Sequence, residues 1–135
     1  MGTQQILMIV LAIIVVGAAI SVGIVMFDTQ ARNQTRRAVT VEIADIAVEA
    51  QAWFRKPKML GGGEGSFDSN DVDSLITYIN GGRIGDIVTP TGTYTITYQS
   101  DNTIKISALS LRYEITIEVL VNLDASGANY GISFL

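Results

Sequence analysis

Aspartates cluster between residues 68 and 73, which read DSNDVD, and carboxylates are the ligands that Ca²⁺ prefers. An EF-hand loop that began at Asp68 would need glycine at its sixth position and glutamate at its twelfth. This chain has Asp73 and Ile79 there. The other interpretation is the first turn of a short helix, in which Ser69 or Asn70 caps the end and the acids favour the helix dipole. The mismatch with the calcium loop favours the helix, and no metal ligand is predicted.

Few other residues have types suited to catalysis. The chain contains no cysteine and no histidine, which removes thiolate metal sites, disulfides and the commonest general base. Glu114 and Glu118 lie four positions apart on a predicted strand, where they share the solvent face. Residues 61–67, GGGEGSF, are not followed by Lys-Ser or Lys-Thr, so they predict a flexible loop rather than a phosphate cradle. The sequence therefore predicts no enzyme, no catalytic residue and no cofactor.

The charge of the chain limits its partners. The net charge is −4 and the isoelectric point about 4.6, which disfavours nucleic acid or an anionic lipid surface as the main partner. Arg36 and Arg37 allow two interpretations: a topology signal that keeps the following domain in the cytoplasm, or partners for acids on neighbouring copies of the chain. Asn33 and Thr35 match the N-glycosylation pattern, but they lie within a predicted helix.

An uncharged apolar run occupies residues 6–27. As an α-helix it would be about 33 Å long, enough to cross a bilayer. A cleaved signal peptide fits poorly, because no Lys or Arg precedes the run and the run is longer than such a core. We therefore predict a membrane-spanning or packed apolar helix.

The helix is expected to continue well beyond this run. Residues 28–56 contain no glycine or proline, and Pro57 is the first residue that would stop it. The predicted helix covers residues 1–56, with an apolar half at 1–27 and an amphipathic half at 28–56. Its second half repeats apolar residues at spacings of three and four, which predicts packing on the rest of the fold. These residues are Val39, Ile43, Ile46, Ala47, Ala50, Trp53 and Phe54.

Adjacent rings at Trp53 and Phe54 predict that one faces the core and the other contacts another subunit.

Residues 57–135 are predicted to form a small head. Its short helix presents Leu75, Ile76 and Ile79 and ends at Gly81 and Gly82.

Alternating apolar residues predict strands within residues 93–99, 103–109, 112–121 and 132–135, the last after a loop at 127–131. Tyr94, Tyr98 and Tyr113 fit a carbohydrate platform, an electron path or the sheet core, and the sheet is favoured. The predicted fold class is α+β: a long N-terminal helix packed on an antiparallel sheet of three or four strands.

This plan resembles a mature type IV pilin or pseudopilin, already cleaved by its prepilin peptidase. The likeness of plan covers the whole chain, but sequence motifs support it only over roughly the first thirty residues. They are the polar start from Met1 to Gln5 and the aliphatic helix from Ile6. Position five is usually a glutamate in the family and is thought to pair with a neighbour's N-terminal amine. Gln5 can accept that hydrogen bond without the charge.

Two further positions differ from the family pattern. Residue one is often phenylalanine there, and here it is Met1. The helix-breaking proline near position 22 is absent, and Val22 stands between Ser21 and Gly23. Any local melting of the helix on assembly would therefore have to rely on the small residues Ser21 and Gly23. Small residues also allow close helix packing in an apolar medium.

The resemblance implies a structural subunit of a cell-surface filament, a helical homopolymer held in the inner membrane before assembly. Its implied partners are other copies, the prepilin peptidase and the inner-membrane assembly machinery, and it implies N-terminal methylation. The expected assembly residues are Met1, Gln5, Ile6, Leu7, Ile9, Val10, Ile13, Ile14, Gly17, Ser21, Gly23 and Phe27. The alternatives are a pseudopilin of a secretion system and a single-pass membrane protein with a small binding head.

Overall fold

The computed structural model describes residues 2–123 and 130–134. Its first element is the α-helix α1, Gly2–Arg55, which is 54 residues long. The helix ends just before Lys56 and Pro57, as expected, because a proline disfavours helical backbone in the residue before it. By internal contacts the chain divides into two units, Met1–Gln34 and Thr35–Leu135. The part of α1 from Thr35 to Arg55 therefore belongs to the folded unit.

The remaining elements lie in the second unit. They are a 3₁₀ turn (Lys58–Leu60), α2 (Val72–Ile79), β1 (Ile87–Val88), β2 (Gly92–Ser100), β3 (Thr103–Ser110), β4 (Thr116–Leu123) and β5 (Tyr130–Phe134). The strands form one antiparallel meander in chain order, β1-β2-β3-β4-β5. The predicted α+β class, a long helix packed on an antiparallel sheet, is confirmed.

The largest differences from the predicted strand boundaries occur in three places. The prediction omitted β1, which has only two residues and is too short to show alternation. β4 begins at Thr116 rather than near Tyr113, because Tyr113 lies in the β3–β4 turn and Glu114 has φ 49. β5 begins earlier than predicted, at Tyr130. The other predicted loop residues before it, and Leu135, lie outside the described residues.

The core lies between the second half of α1 and one face of the sheet. The structure buries the seven helix residues named above: Val39, Ile43, Ile46, Ala47, Ala50, Trp53 and Phe54. They pack with alternate residues of β2, β3 and β4: Tyr94, Ile96, Ile104, Ile106, Ala108, Ile117, Val119, Val121 and Leu123. Because side chains alternate across a strand, the helix stripe covers the one apolar face of the sheet.

Both rings at the end of α1 are buried, so the prediction that one of them points away from the core was wrong. Trp53 is 1% exposed and Phe54 5% exposed. Phe67 is the reason, since it returns over the helix end and stacks on Trp53 with ring centres 6.2 Å apart. It also contacts Phe54 at 4.8 Å. An aromatic residue from the following loop thus covers the side of the helix that would otherwise be exposed.

The glycine-rich loop, which the sequence predicts to be flexible, is hydrogen-bonded to the end of α1. The N–H of Gly63 donates to the carbonyl of Trp53 at 3.0 Å, and that of Gly65 to Phe54 at 2.7 Å. These bonds satisfy helix-end carbonyls that have no partner within the helix. A Cβ at Gly63 would lie 2.6 Å from the Trp53 ring. Glycine is required there by close contact.

The start of α2 also differs from the prediction. Its N-cap is Asp71, without a side-chain capping hydrogen bond, so neither Ser69 nor Asn70 caps it. The carboxylate of Asp68 instead accepts a hydrogen bond from the N–H of Asn70 at 3.3 Å.

At the C-terminal end of α2, the N–H of Gly82 donates to the carbonyl of Thr77 at 2.8 Å. This is the Schellman arrangement that a glycine after a helix permits.

We predict that Phe67→Ala destabilises the folded unit by about 3–5 kcal/mol, because it removes a fully buried ring from between two others. The matched control is Met59→Ala, since Met59 is 98% exposed and its loss should leave the stability nearly unchanged. The measurement is chemical unfolding of the full chain in detergent, followed by Trp53 fluorescence. Equal midpoints for the two variants would contradict the role given to Phe67.

Candidate functional site

An exposed apolar surface covers the helical segment at residues 6–27 in the first unit. The large side chains expected to mediate assembly are all at least 49% exposed: Ile6, Leu7, Ile9, Val10, Ile13, Ile14 and Phe27. Exposing apolar area to water costs about 25 cal/mol per Å², and monomeric soluble proteins rarely expose so large a patch. This surface therefore needs a cover from an apolar medium or from other protein chains.

Contacts among the described residues do not explain why small residues occur in this segment. A Cβ at Gly17 or Gly23 would meet nothing within 4 Å. The hydroxyl of Ser21 donates to the carbonyl of Gly17 at 2.9 Å, so it is satisfied inside the helix. No neighbour among the described residues requires glycine at these two positions, and an approaching helix would be able to come close there.

At the start of the helix, Gln5 is exposed and lines a shallow apolar depression with Gln4, Met8 and Ile9. Met1, the other terminal residue expected to take part in assembly, lies outside the described residues. By length and composition alone, α1 is long and apolar enough to cross a membrane.

In the second unit, Glu42 joins α1 to the sheet through three hydroxyl groups. Thr91 Oγ1 donates to its Oε1 at 2.6 Å, while Thr89 Oγ1 and the hydroxyl of Tyr94 donate to its Oε2 at 2.8 and 2.5 Å. The two threonines flank Pro90 in the β1–β2 turn, and Tyr94 follows on β2. We call Glu42 and these three donors the Glu42 clamp. It fixes the turn to the helix.

The clamp changes the acidity of its members in opposite directions. Partial burial works to raise the pKa of Glu42, but hydrogen bonds from Thr91, Tyr94 and Thr89 favour the carboxylate and together hold that pKa below its usual 4.5. Burial, followed by the hydrogen bond to the Glu42 carboxylate, raises the pKa of the Tyr94 phenol. The clamp thus favours an ionised glutamate beside a neutral tyrosine.

Sequence reasoning missed the clamp. Glu42 lies one position outside the apolar stripe, beside the buried Ile43, and nothing in the local pattern separates it from exposed acids such as Glu49. The tripeptide Thr-Pro-Thr at residues 89–91 predicts a turn, but it does not predict that the threonine hydroxyls face a carboxylate. Only the packing of helix on sheet brings these groups together.

The other residues considered for chemistry are dispersed. Glu118 pairs with Lys105 on the neighbouring strand, at 2.7 Å, while Glu114 lies beyond the strand in the turn. Tyr94 is buried and Tyr98 packs at the core's edge, where it donates to Asp101 at 2.7 Å. Within the described residues, no group of three or more carboxylates is arranged to hold a metal ion.

Comparison with known proteins gives no relative to argue from. No family model, curated protein or solved structure matches this chain. The exposed helix surface and the fold that carries it are therefore the features that bear on function.

We predict that Glu42→Gln destabilises the folded unit by about 1–3 kcal/mol, because the amide offers one acceptor oxygen where three hydroxyls now share two. Glu49→Gln is the matched control: it makes the same change on an exposed part of the same helix. Unfolding free energies of the full chain in detergent provide the comparison. If the two substitutions cost the same, the clamp does not stabilise the fold.

We predict that the stability added by Glu42 depends on pH in one direction. A lowered folded-state pKa gives a contribution that is present above about 4.5 and lost as pH falls through the lower folded value. The melting temperature of the unaltered chain should therefore drop more steeply below about pH 4.5 than that of Glu42→Gln. Parallel curves for the two proteins across this pH range would rule out a stabilising contribution from the ionised Glu42.

Proposed function

We propose that this chain is a structural subunit of a type IV pilus-like extracellular filament, held in the inner membrane before assembly. The observation that supports the proposal is the single helix α1, Gly2–Arg55. Between residues 6 and 27 this helix carries no charge and is exposed, whereas between Val39 and Phe54 it supplies the core of a small folded unit. A head attached to such a helix suits a polymer whose helices pack together.

The energetics of assembly follow from the apolar segment. In the membrane the residues 6–27 contact lipid, and in the filament they contact the same segment of other copies. One apolar medium replaces another, so the transfer is nearly neutral and close packing decides the preference. The small residues Gly17, Ser21 and Gly23 allow that closeness. The contact is head-to-tail and does not close, which gives a helical polymer.

The proposed partners are other copies of the chain, the prepilin peptidase and the inner-membrane assembly machinery. The N-terminal amine of a neighbouring subunit would donate to Gln5, which accepts without a charge of its own. The heads would form the outer surface of the filament. No enzymatic activity is part of the proposal.

A second candidate is a single-pass membrane protein with a small binding head, and the length and composition of α1 are consistent with it. It accounts less well for the helix continuing without a break to Arg55. A pseudopilin of a secretion system would share the assembly mode proposed here.

The direct test is negative-stain electron microscopy of material sheared from producing cells, beside cells that lack the gene and cells in which it is restored. We expect thin filaments that disappear with the gene and return with it. A chain that stays in the membrane fraction, with no filament depending on the gene, would favour the single-pass protein.

We predict that Gly17→Leu lowers filament yield several-fold while leaving the subunit stable in the membrane. Leucine has a helix propensity roughly 1 kcal/mol better than glycine, and apart from the helix's own backbone no described residue lies within 4 Å of a Cβ at this position, so the isolated helix should tolerate it. The bulk of leucine would instead separate helices that pack at this point. Ile14→Leu on the same segment is the volume-conserving control. Unchanged yield for Gly17→Leu would argue against close packing there.

A further inference from the structure

The outer side of α1 in the second unit carries a row of apolar residues that the core does not use. The row consists of Ala38, Val41, Val48 and Ala52, all exposed, with Val41 at 61% and Val48 at 57%. With about 100° of rotation per residue, they point away from the buried stripe. Their spacings of three, seven and four residues match the a and d positions of a heptad, the pattern by which one helix packs along another.

Charged residues of both signs border this row, which we call the outer row. By the same helical rotation, Arg37 lies on one side of it, Glu49 on the other, and Asp45 within it between the valines. All three are exposed. The ion pairs found among the described residues involve none of them. Their charges are therefore available to a partner that approaches along this side of the helix.

We propose that the outer row packs against a second copy of the chain, parallel to the first and shifted along the helix axis, so that Arg37 of one copy lies beside Asp45 and Glu49 of the next. The shift is between eight and twelve residues, or about 12–18 Å of helix. This inference rests on the proposed filament and names a subunit contact outside the apolar segment.

Charge complementarity points to a second copy as the occupant, because the chain itself presents the basic and the acidic group that the contact needs. A parallel pair without a shift would leave Arg37 of one copy about 12–18 Å along the helix axis from Asp45 and Glu49 of the other, too far for an ion pair. An antiparallel pair could match the charges, but copies anchored in one membrane with the same orientation cannot pack in opposite directions. The shifted parallel arrangement satisfies both conditions.

The same contact can also repeat from one copy to the next without closing. Each copy offers its Arg37 side to one neighbour and its acidic side to another, so the two surfaces differ and the contact is heterologous. Exposed ion pairs contribute little affinity, so their role is to fix the axial register, while the apolar row supplies the packing.

Cross-linking tests this register. The chain has no cysteine, so introduced thiols are the only ones present. The double variant Ala38→Cys/Val48→Cys places thiols ten positions apart on the outer row, and the single variants serve as controls. Sheared filaments are treated with a short bismaleimide and separated by denaturing electrophoresis. We expect a ladder of multimers from the double variant and monomers from each single variant.

Each other result would overturn the shifted contact. Dimers from a single variant would mean that copies pack in register. Dimers alone from the double variant would mean a closed, antiparallel pair. Filaments of the double variant without any cross-link would remove the outer row from the interface and leave the proposed filament intact. Absence of filaments from cells with the unaltered chain would instead reject the filament, and this contact with it.

Charge reversal provides an independent readout. Arg37→Glu should reduce filament yield several-fold, and adding Glu49→Arg to it should restore most of the loss, because the pair is re-formed with opposite signs. Arg83→Glu makes the same charge change in an exposed loop of the second unit and should leave the yield unchanged. Failure of the second substitution to rescue, or an equal loss from Arg83→Glu, would overturn the pairing.

Discussion

The burial of one stripe of α1, from Val39 to Phe54, is the interaction on which the folded unit depends. The sheet is a simple antiparallel meander whose inner face is apolar on β2, β3 and β4. Such a sheet needs a layer to cover it, and the helix provides that layer. Since only one side of the helix is used, the other side remains available for contacts with other chains.

Two local devices hold the stripe in place. At the end of α1, the glycine-rich loop donates hydrogen bonds to helix carbonyls and brings Phe67 onto Trp53 and Phe54. Further along the helix, the Glu42 clamp joins it to the β1–β2 turn. The first combines hydrogen bonds with ring packing, and the second consists of hydrogen bonds alone. Together they fix the position of the helix on the sheet as well as stabilising its burial. A partly buried carboxylate with well-placed donors favours one arrangement of helix and turn over others.

Local sequence signals predicted most of the elements and the packing of α1 on the sheet, but not the contacts of Phe67 and Glu42. The long helix followed from the absence of breakers before Pro57, and its buried side followed from the spacing of Val39, Ile43 and Ile46. Phe67 was missed because its role depends on where a loop returns in space. Glu42 was missed for the same reason, since its partners lie about fifty positions away. The exposed apolar surface at residues 6–27 was visible in the sequence as an uncharged run, but whether lipid or protein covers it is not encoded in hydropathy.

The central claim is that the apolar segment leaves lipid and becomes buried among copies of itself. The most direct test is the accessibility of Ile13→Cys in lipid-free sheared filaments, with Ile84→Cys in an exposed part of the second unit as the reference. A water-soluble maleimide should label residue 84 and leave residue 13 unlabelled until the filaments are dissociated in detergent. Equal labelling of both positions in intact filaments would contradict the claim, because the apolar helices would then not form the filament core.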